Sequence, residues 1–234
     1  RPVDSAYPYF IPGNYITARG IAIVKKLEPM QRITPKDMMT LQNDIYSVTA
    51  ADVLPLLLRY TDESKLEVKE KNYLTALKEW NYHTTPESIE PTLYQTWVDS
   101  LESVIWKDEF DKIALPKPLD YEKYLPNEQT LVEALLRDSA FRYVDDVNTS
   151  DTETLNVQVL KAFKKAVAGL SAEESKTGLV WYKHKNPTVY HLLKEALMPF
   201  ARPGLKVGGW GNTINAMGHS HGPSWRMIVH LTPE

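Results

Sequence analysis

Between residues 34 and 170, apolar side chains return at every third or fourth position, and prolines cut the pattern into segments. That spacing constrains the fold more than any other feature, because it matches the helix turn of about 3.6 residues rather than the two-residue repeat of a strand. The clearest case is ITPKDMMTLQNDIYSV. Thr34 suits an N-cap, Pro35 the first helical position, and Asp37 the positive end of the dipole. Met38, Leu41, Ile45 and Val48 then step by three, four and three. The spacing predicts one helix over 33–48. AADVLPLLLRY continues it, with Pro55 expected to kink the helix or start a new one.

The same reading predicts a helix over 16–30, carried by Ile16, Ile23 and Leu27 and ended by Pro29. Another covers about 66–80, with Leu74 and Leu77 inward. A helix from 91 presents Tyr94, Trp97, Val98, Leu101, Val104 and Ile105 on a wide apolar face. Further helices are expected over 128–137 and over 152–170, the latter burying Leu155, Leu160, Phe163 and Val167. Asn186-Pro187 is read as capping a helix in HLLKEALMPF, closed by Pro199. Residues 1–15, RPVDSAYPYFIPGNY, carry three prolines among aromatics and read as an extended segment. Residues 108–127 read as a proline-rich surface excursion.

After Pro203 the pattern changes. Glycines separate NTINA from SWRMIVHL, and the second is rich in β-branched and aromatic residues. Two short strands are expected there. The expected fold class is therefore mostly α (α+β), with an extended segment at 1–15, a helical region at 16–200 and a Gly-rich strand pair at 201–234. A strand pair needs further strands or a covering layer. With a start at Arg1 and an end just after a strand, the chain is expected to be a piece of something longer.

Composition narrows the function classes. The 234 residues are 43% hydrophobic and 24% charged, with a net charge of -3. That balance gives no concentrated basic patch for nucleic acid. No apolar run reaches the roughly 18 residues that a bilayer span requires. Cysteine is absent, which removes disulfides, thiolate zinc sites and a cysteine nucleophile.

Several chemical candidates stand out. His219-Ser220-His221 could place two imidazoles on one face for a metal, but no third ligand stands nearby. The bracketing Gly218 and Gly222 favour a polar hairpin loop over the metal, with a hydrogen-bonding or substrate-lining role for His219 and His221 as the third reading. GGWGN lacks the Gly-Lys-Ser/Thr ending and the strand-then-helix setting of a phosphate loop. Gln42-Asn43-Asp44 reads as a solvated face or a structural hydrogen-bond network rather than a catalytic group. Trp80, Trp97 and Trp106 sit at helical spacing and read as core rather than as a carbohydrate platform. No Ser-His-Asp spacing, Gly-x-Ser-x-Gly elbow or kinase motif is present. The residues alone describe a mostly helical domain without a reaction. A freestanding helical binding or scaffold module stays open as an alternative.

Several stretches in series carry a resemblance. RPVDSAYPYF followed by ITARGIAI, then ITPKDMMTLQNDIYSVTAADVLPLLL, LKEWN, EPTLYQTWVDSL, GGWGNTINA and HGPSWRMIVHL resemble the β subunit of penicillin acylases in order and rough spacing. The resemblance implies an N-terminal-nucleophile hydrolase with an αββα sandwich and large helical insertions, made as a precursor and cut into α and β subunits. It implies a terminal Ser that attacks the amide carbonyl, with its own α-amino group as base and an oxyanion hole for the intermediate. Implied substrates are small N-acyl amides, such as β-lactam side chains or acyl homoserine lactones. Implied partners are the α subunit and the rest of the β subunit, with no nucleic acid and no membrane span, in the periplasm or beyond.

On this resemblance the nucleophile and the oxyanion asparagine lie before Arg1, so the fragment is expected to be inactive alone. Arg19 matches the family's arginine near the active site, which helps hold that asparagine and the substrate. Ala22 stands where a second arginine is often found, and His230 where the family has a late Asp. No cofactor is expected, while the resemblance leaves room for a structural calcium in the parent, with no ligand identified in these residues. The family's calcium-ligating carboxylate has no counterpart near Pro8, where Ile11 and Pro12 stand.

Overall fold

The computed structural model describes residues 6–9, 17–113, 126, 128–222 and 226–231. Most of the extended segment at 1–15 and of the excursion at 108–127 lies outside the described residues. So do Ile16, Ile11, Pro12 and two residues of SWRMIVHL. Helix accounts for 55% of the structure, so the fold is mostly α. The chain divides into two compact units. The first comprises Arg1–Ala51, Asn81–Ser88 and Val180–Glu234, and the second Asp52–Trp80 and Ile89–Leu179.

The first unit opens with α1 (Ala18–Leu27), where the Thr17 hydroxyl accepts from the Gly20 amide at 3.0 Å. Ala22 is its one buried residue. Helix α2 (Pro35–Gln42) starts on a capping box: the Asp37 amide donates to the Thr34 hydroxyl and the Thr34 amide to the Asp37 carboxylate. These hydrogen bonds hold the Asp37 carboxyl below its ordinary pKa.

The helix expected over 33–48 breaks after Gln42. Asn43 leaves helical geometry, and the Asp44 carboxylate takes the Tyr46 amide at 2.9 Å. A side chain that bonds its own backbone two residues on competes with the helix ladder, and here it wins. Tyr46 instead bridges to His83. The Ser47 hydroxyl accepts from the Ala50 amide at 3.1 Å in the first turn of α3 (Val48–Arg59). Pro55 lies inside α3, so the helix runs through it, short of one ladder bond.

The second unit contains α4 (Val68–Glu79), α5 (Glu90–Phe110), α6 (Glu128–Arg137) and α7 (Leu155–Lys176). Helix α5 packs along α7, with α4 and α6 also against α5. Tyr94, Trp97, Val98, Leu101 and Ile105 of α5 meet Leu155, Val159, Phe163 and Val167 of α7 in the buried core. Leu74 and Leu77 of α4 are buried as expected. The apolar stripe of α7 ends at Leu170, yet the helix continues to Lys176. No glycine or proline intervenes until Gly178, whose φ of +74° closes the helix.

Two expected elements do not form in the first unit. The helix expected over 191–200 is a 3-10 stretch, Lys194–Phe200, broken at Leu197. Leu192 is 95% exposed and Phe200 69%, so no apolar face is buried to hold an α-helix, and Pro199 weakens the ladder further. Asn186 closes the short helix α8 (Trp181–Lys185) in a left-handed conformation, φ +44°, rather than capping a helix on its C-terminal side. Its side chain also accepts from the Gly204 amide at 3.1 Å. Asn186→Ala should therefore cost about 1–2 kcal/mol and Asn186→Gly clearly less, measured by thermal denaturation. Equal losses would show that backbone geometry is not what the asparagine supplies.

The expected strand pair is the second correction. NTINA is a turn, because Thr213 binds both the Trp210 and Asn215 carbonyls and its backbone amide returns to Trp210. Residues 226–231 form no ladder among the described residues, and Met227, Val229 and Leu231 are exposed. A strand takes its identity from a partner's hydrogen bonds, and no ladder partner stands among the described residues.

Candidate functional site

The polar centre of the first unit is built around GGWGN. Trp181 and Lys185 stand four residues apart in α8, so they share a face. Both are buried, Lys185 at 4% exposure. The Lys185 ammonium donates to the carbonyls of Val207 at 3.0 Å, Gly208 at 3.1 Å and Gly209 at 2.9 Å. The Trp181 indole N–H donates to the Gly209 carbonyl at 3.0 Å, and its ring lies 5.1 Å from that of Trp210. Burial pulls the Lys185 pKa down to about 8.

The loop's amides turn inward as well. Gly209 donates to the Thr84 backbone carbonyl and to its hydroxyl, and Trp210 to the Thr213 hydroxyl. A Cβ on Gly208 would stand 2.6 Å from the Thr84 carbonyl oxygen, and one on Gly209, at φ +87°, would collide with the Asn215 carbonyl. These contacts account for the paired glycines by close backbone approach. With the Gly209 and Trp210 amides paired inward and both glycines of the pair closely approached, GGWGN is a packed structural loop.

Gln42, Asn43 and Asp44 form a structural network. The Gln42 amide donates to the Met227 carbonyl at 3.1 Å. Arg226 spans the side-chain oxygens of Asn43 and Asn215. The Asp44 backbone carbonyl accepts from the Asn215 amide at 2.8 Å. Its carboxylate meets the Lys26 ammonium at 2.9 Å, with 17% of the Asp44 side chain exposed. One acidic residue therefore ties α1, the turn before Tyr46 and the NTINA turn together.

Arg19 sits exposed in the first turn of α1. His219 is committed to the protein: its Nδ1 faces the Asn186 carbonyl at 2.8 Å and its Nε2 the Tyr190 hydroxyl at 3.1 Å. Neither nitrogen is left for a metal. His219 and Ser220 form a bend, and the Gly218 amide donates to the His221 carbonyl at 2.9 Å. Trp80, Trp97 and Trp106 are all buried in the second unit, where the Trp97 ring packs 4.6 Å from that of Phe163. In that unit burial, with Asp99 nearby, raises Glu128 and Glu102 to about 7. Lys185 and Thr84 escaped the sequence reading. For Lys185 a signal existed, its four-residue spacing from a buried tryptophan.

A family model described as penicillin amidase matches residues 1–234, the full length of the chain. The chain belongs to the penicillin amidase family. No curated protein matches it. Penicillin amidase membership brings an acylase kind of chemistry, the hydrolysis of amide bonds. It agrees with the motif series and with no particular pair of catalytic groups in these residues. Among the described residues no group of three His, Cys, Asp or Glu is placed to hold a metal ion, and Ile11 and Pro12 lie outside them. No helix among them is long and apolar enough to cross a membrane.

Proposed function

We propose that these 234 residues are an interior part of the β subunit of a penicillin-amidase-type amidohydrolase. The substrate class is small N-acyl amides, β-lactam side chains or acyl homoserine lactones. The bond cleaved is the linear amide. The attacking Ser and the oxyanion asparagine come from outside these residues, in the periplasm or beyond. The α subunit and the rest of the β subunit complete the enzyme. The observation that carries the reading is the family match over the whole chain.

Within this chain Arg19 is the contribution to the site. A guanidinium offers a planar fork of donors that suits a carbonyl oxygen or a carboxylate. Its exposure leaves that fork accessible. Holding the asparagine and substrate through such donors supports transition-state charge that the nucleophile creates. Arg19→Ala in the full-length enzyme should lower kcat/KM by about 10- to 100-fold on a chromogenic N-acyl amide. The melting temperature should barely move, because an exposed first-turn side chain holds little structure. Unchanged kinetics would remove Arg19 from the site. A full-length protein that turns over no N-acyl amide would overturn the reading and leave the freestanding binding module.

A further inference from the structure

We infer that Lys26 and Asp44 are positioning residues that orient Arg19 for amide hydrolysis, an inference that rests on the proposed role of Arg19. The first reason is how little else orients α1. Among the described residues Ala22 is the one residue α1 fully buries; Ile23, Lys26 and Leu27 are half-buried, and Ile21 and Val24 are 37% and 52% exposed. One small buried residue with half-buried Ile23 and Leu27 beside it fixes the roll of a helix only loosely, so a polar anchor has leverage on it.

The second reason is geometry. Arg19 and Lys26 are seven residues apart in α1. Seven steps of about 100° bring them to within about 20° of each other around the axis, roughly 10 Å apart along it. The side of the helix that presents Arg19 is therefore the side that Lys26 anchors. The anchor is a double one. The Lys26 ammonium lies 2.9 Å from Asp44 Oδ2 and 5.2 Å from the centre of the Tyr46 ring. The carboxylate itself is held in place, since Asp44 Oδ1 accepts the Tyr46 amide at 2.9 Å. The Asp44 carbonyl is in turn bound to Asn215. Breaking the Lys26 contact frees the roll of α1 and leaves the acceptor where it was.

The test is a double-mutant cycle in the full-length enzyme on a chromogenic N-acyl amide. Asp44→Asn and Lys26→Met should each lower kcat/KM by about three- to tenfold, and by less than about twofold when Arg19 is already Ala. Lys26→Arg should recover most of what Lys26→Met loses. A merely structural contact would give losses of the same size in both backgrounds, and that result overturns the inference. If Arg19→Ala lowers kcat/KM but neither partner change does, the inference fails and the role of Arg19 stands. If Arg19→Ala has no effect, the role of Arg19 fails first. Should Asp44→Asn yield no soluble enzyme, Lys26→Met carries the cycle alone, since its side chain is 37% exposed.

Discussion

Trp97→Ala should cost about 3–5 kcal/mol, a large part of the 5–15 kcal/mol that a typical domain possesses. Trp97 has 0% of its surface exposed, at the centre of the α5–α7 contact. Its ring lies against Phe163, and its indole N–H donates to the Val159 carbonyl at 3.2 Å. Removing the ring leaves a cavity that two long, interlocked helices cannot close, so the transfer and cavity costs add. Trp106 provides the comparison. It is similarly buried, at 3% exposure, but its indole nitrogen has no hydrogen-bond partner among the described residues. Trp97→Phe should therefore lose about 1–2 kcal/mol more than Trp106→Phe, since only the first breaks a buried hydrogen bond. Thermal denaturation followed by circular dichroism measures both. A Trp97→Ala protein melting within about 2 °C of the parent would mean that this contact is not the core of the second unit.

Legibility in the sequence tracks burial. Helices α5 and α7 could be read because their apolar stripes face each other, and most residues on those stripes are buried, while Val104 and Leu160 at the stripe edges stay half-buried. The stripe through Met38, Leu41, Ile45 and Val48 misled, because helical spacing survives a break that Asn43 and Asp44 impose through their own side chains. HLLKEALMPF has helical composition, but Leu192 and Leu193 stay exposed and only Leu197 is half-buried, so propensity alone does not form the helix. The tail reads as strands by composition, yet strands are made by partners. Arg19 belongs to neither category. No periodicity or capping rule marks it, and only the series of family motifs draws attention to it. The polar network around Asp44 was legible as a network, but its reach to Lys26 and Asn215 depends on contacts that no local rule contains.

Lys185→Met should destabilise the protein by about 2–4 kcal/mol, although the two side chains are similar in length and methionine is the more apolar. The reason lies in the acceptors. Gly209 keeps the Trp181 indole as a donor, but the carbonyls of Val207 and Gly208 lose Lys185 as theirs. An apolar replacement leaves the buried Gly208 carbonyl and the half-buried Val207 carbonyl without that donor, which costs more than the ammonium's own desolvation saves. Lys183→Met, two residues earlier on the exposed side of α8, should change stability by less than about 0.5 kcal/mol. The pH dependence separates the charge from the contacts. Burial lowers the Lys185 pKa from 10.5 to about 8. Between those values the unfolded chain binds more protons than the folded one, so this residue's contribution to stability grows as pH rises. Below about 8 both states carry the charge, and the folded state bears the full cost of burying it. The gap in stability between the parent and Lys185→Met should therefore widen from pH 8 to pH 10.5. A gap that stays flat or narrows there would mean that the three carbonyls hold the proton on Lys185 more strongly than burial drives it off.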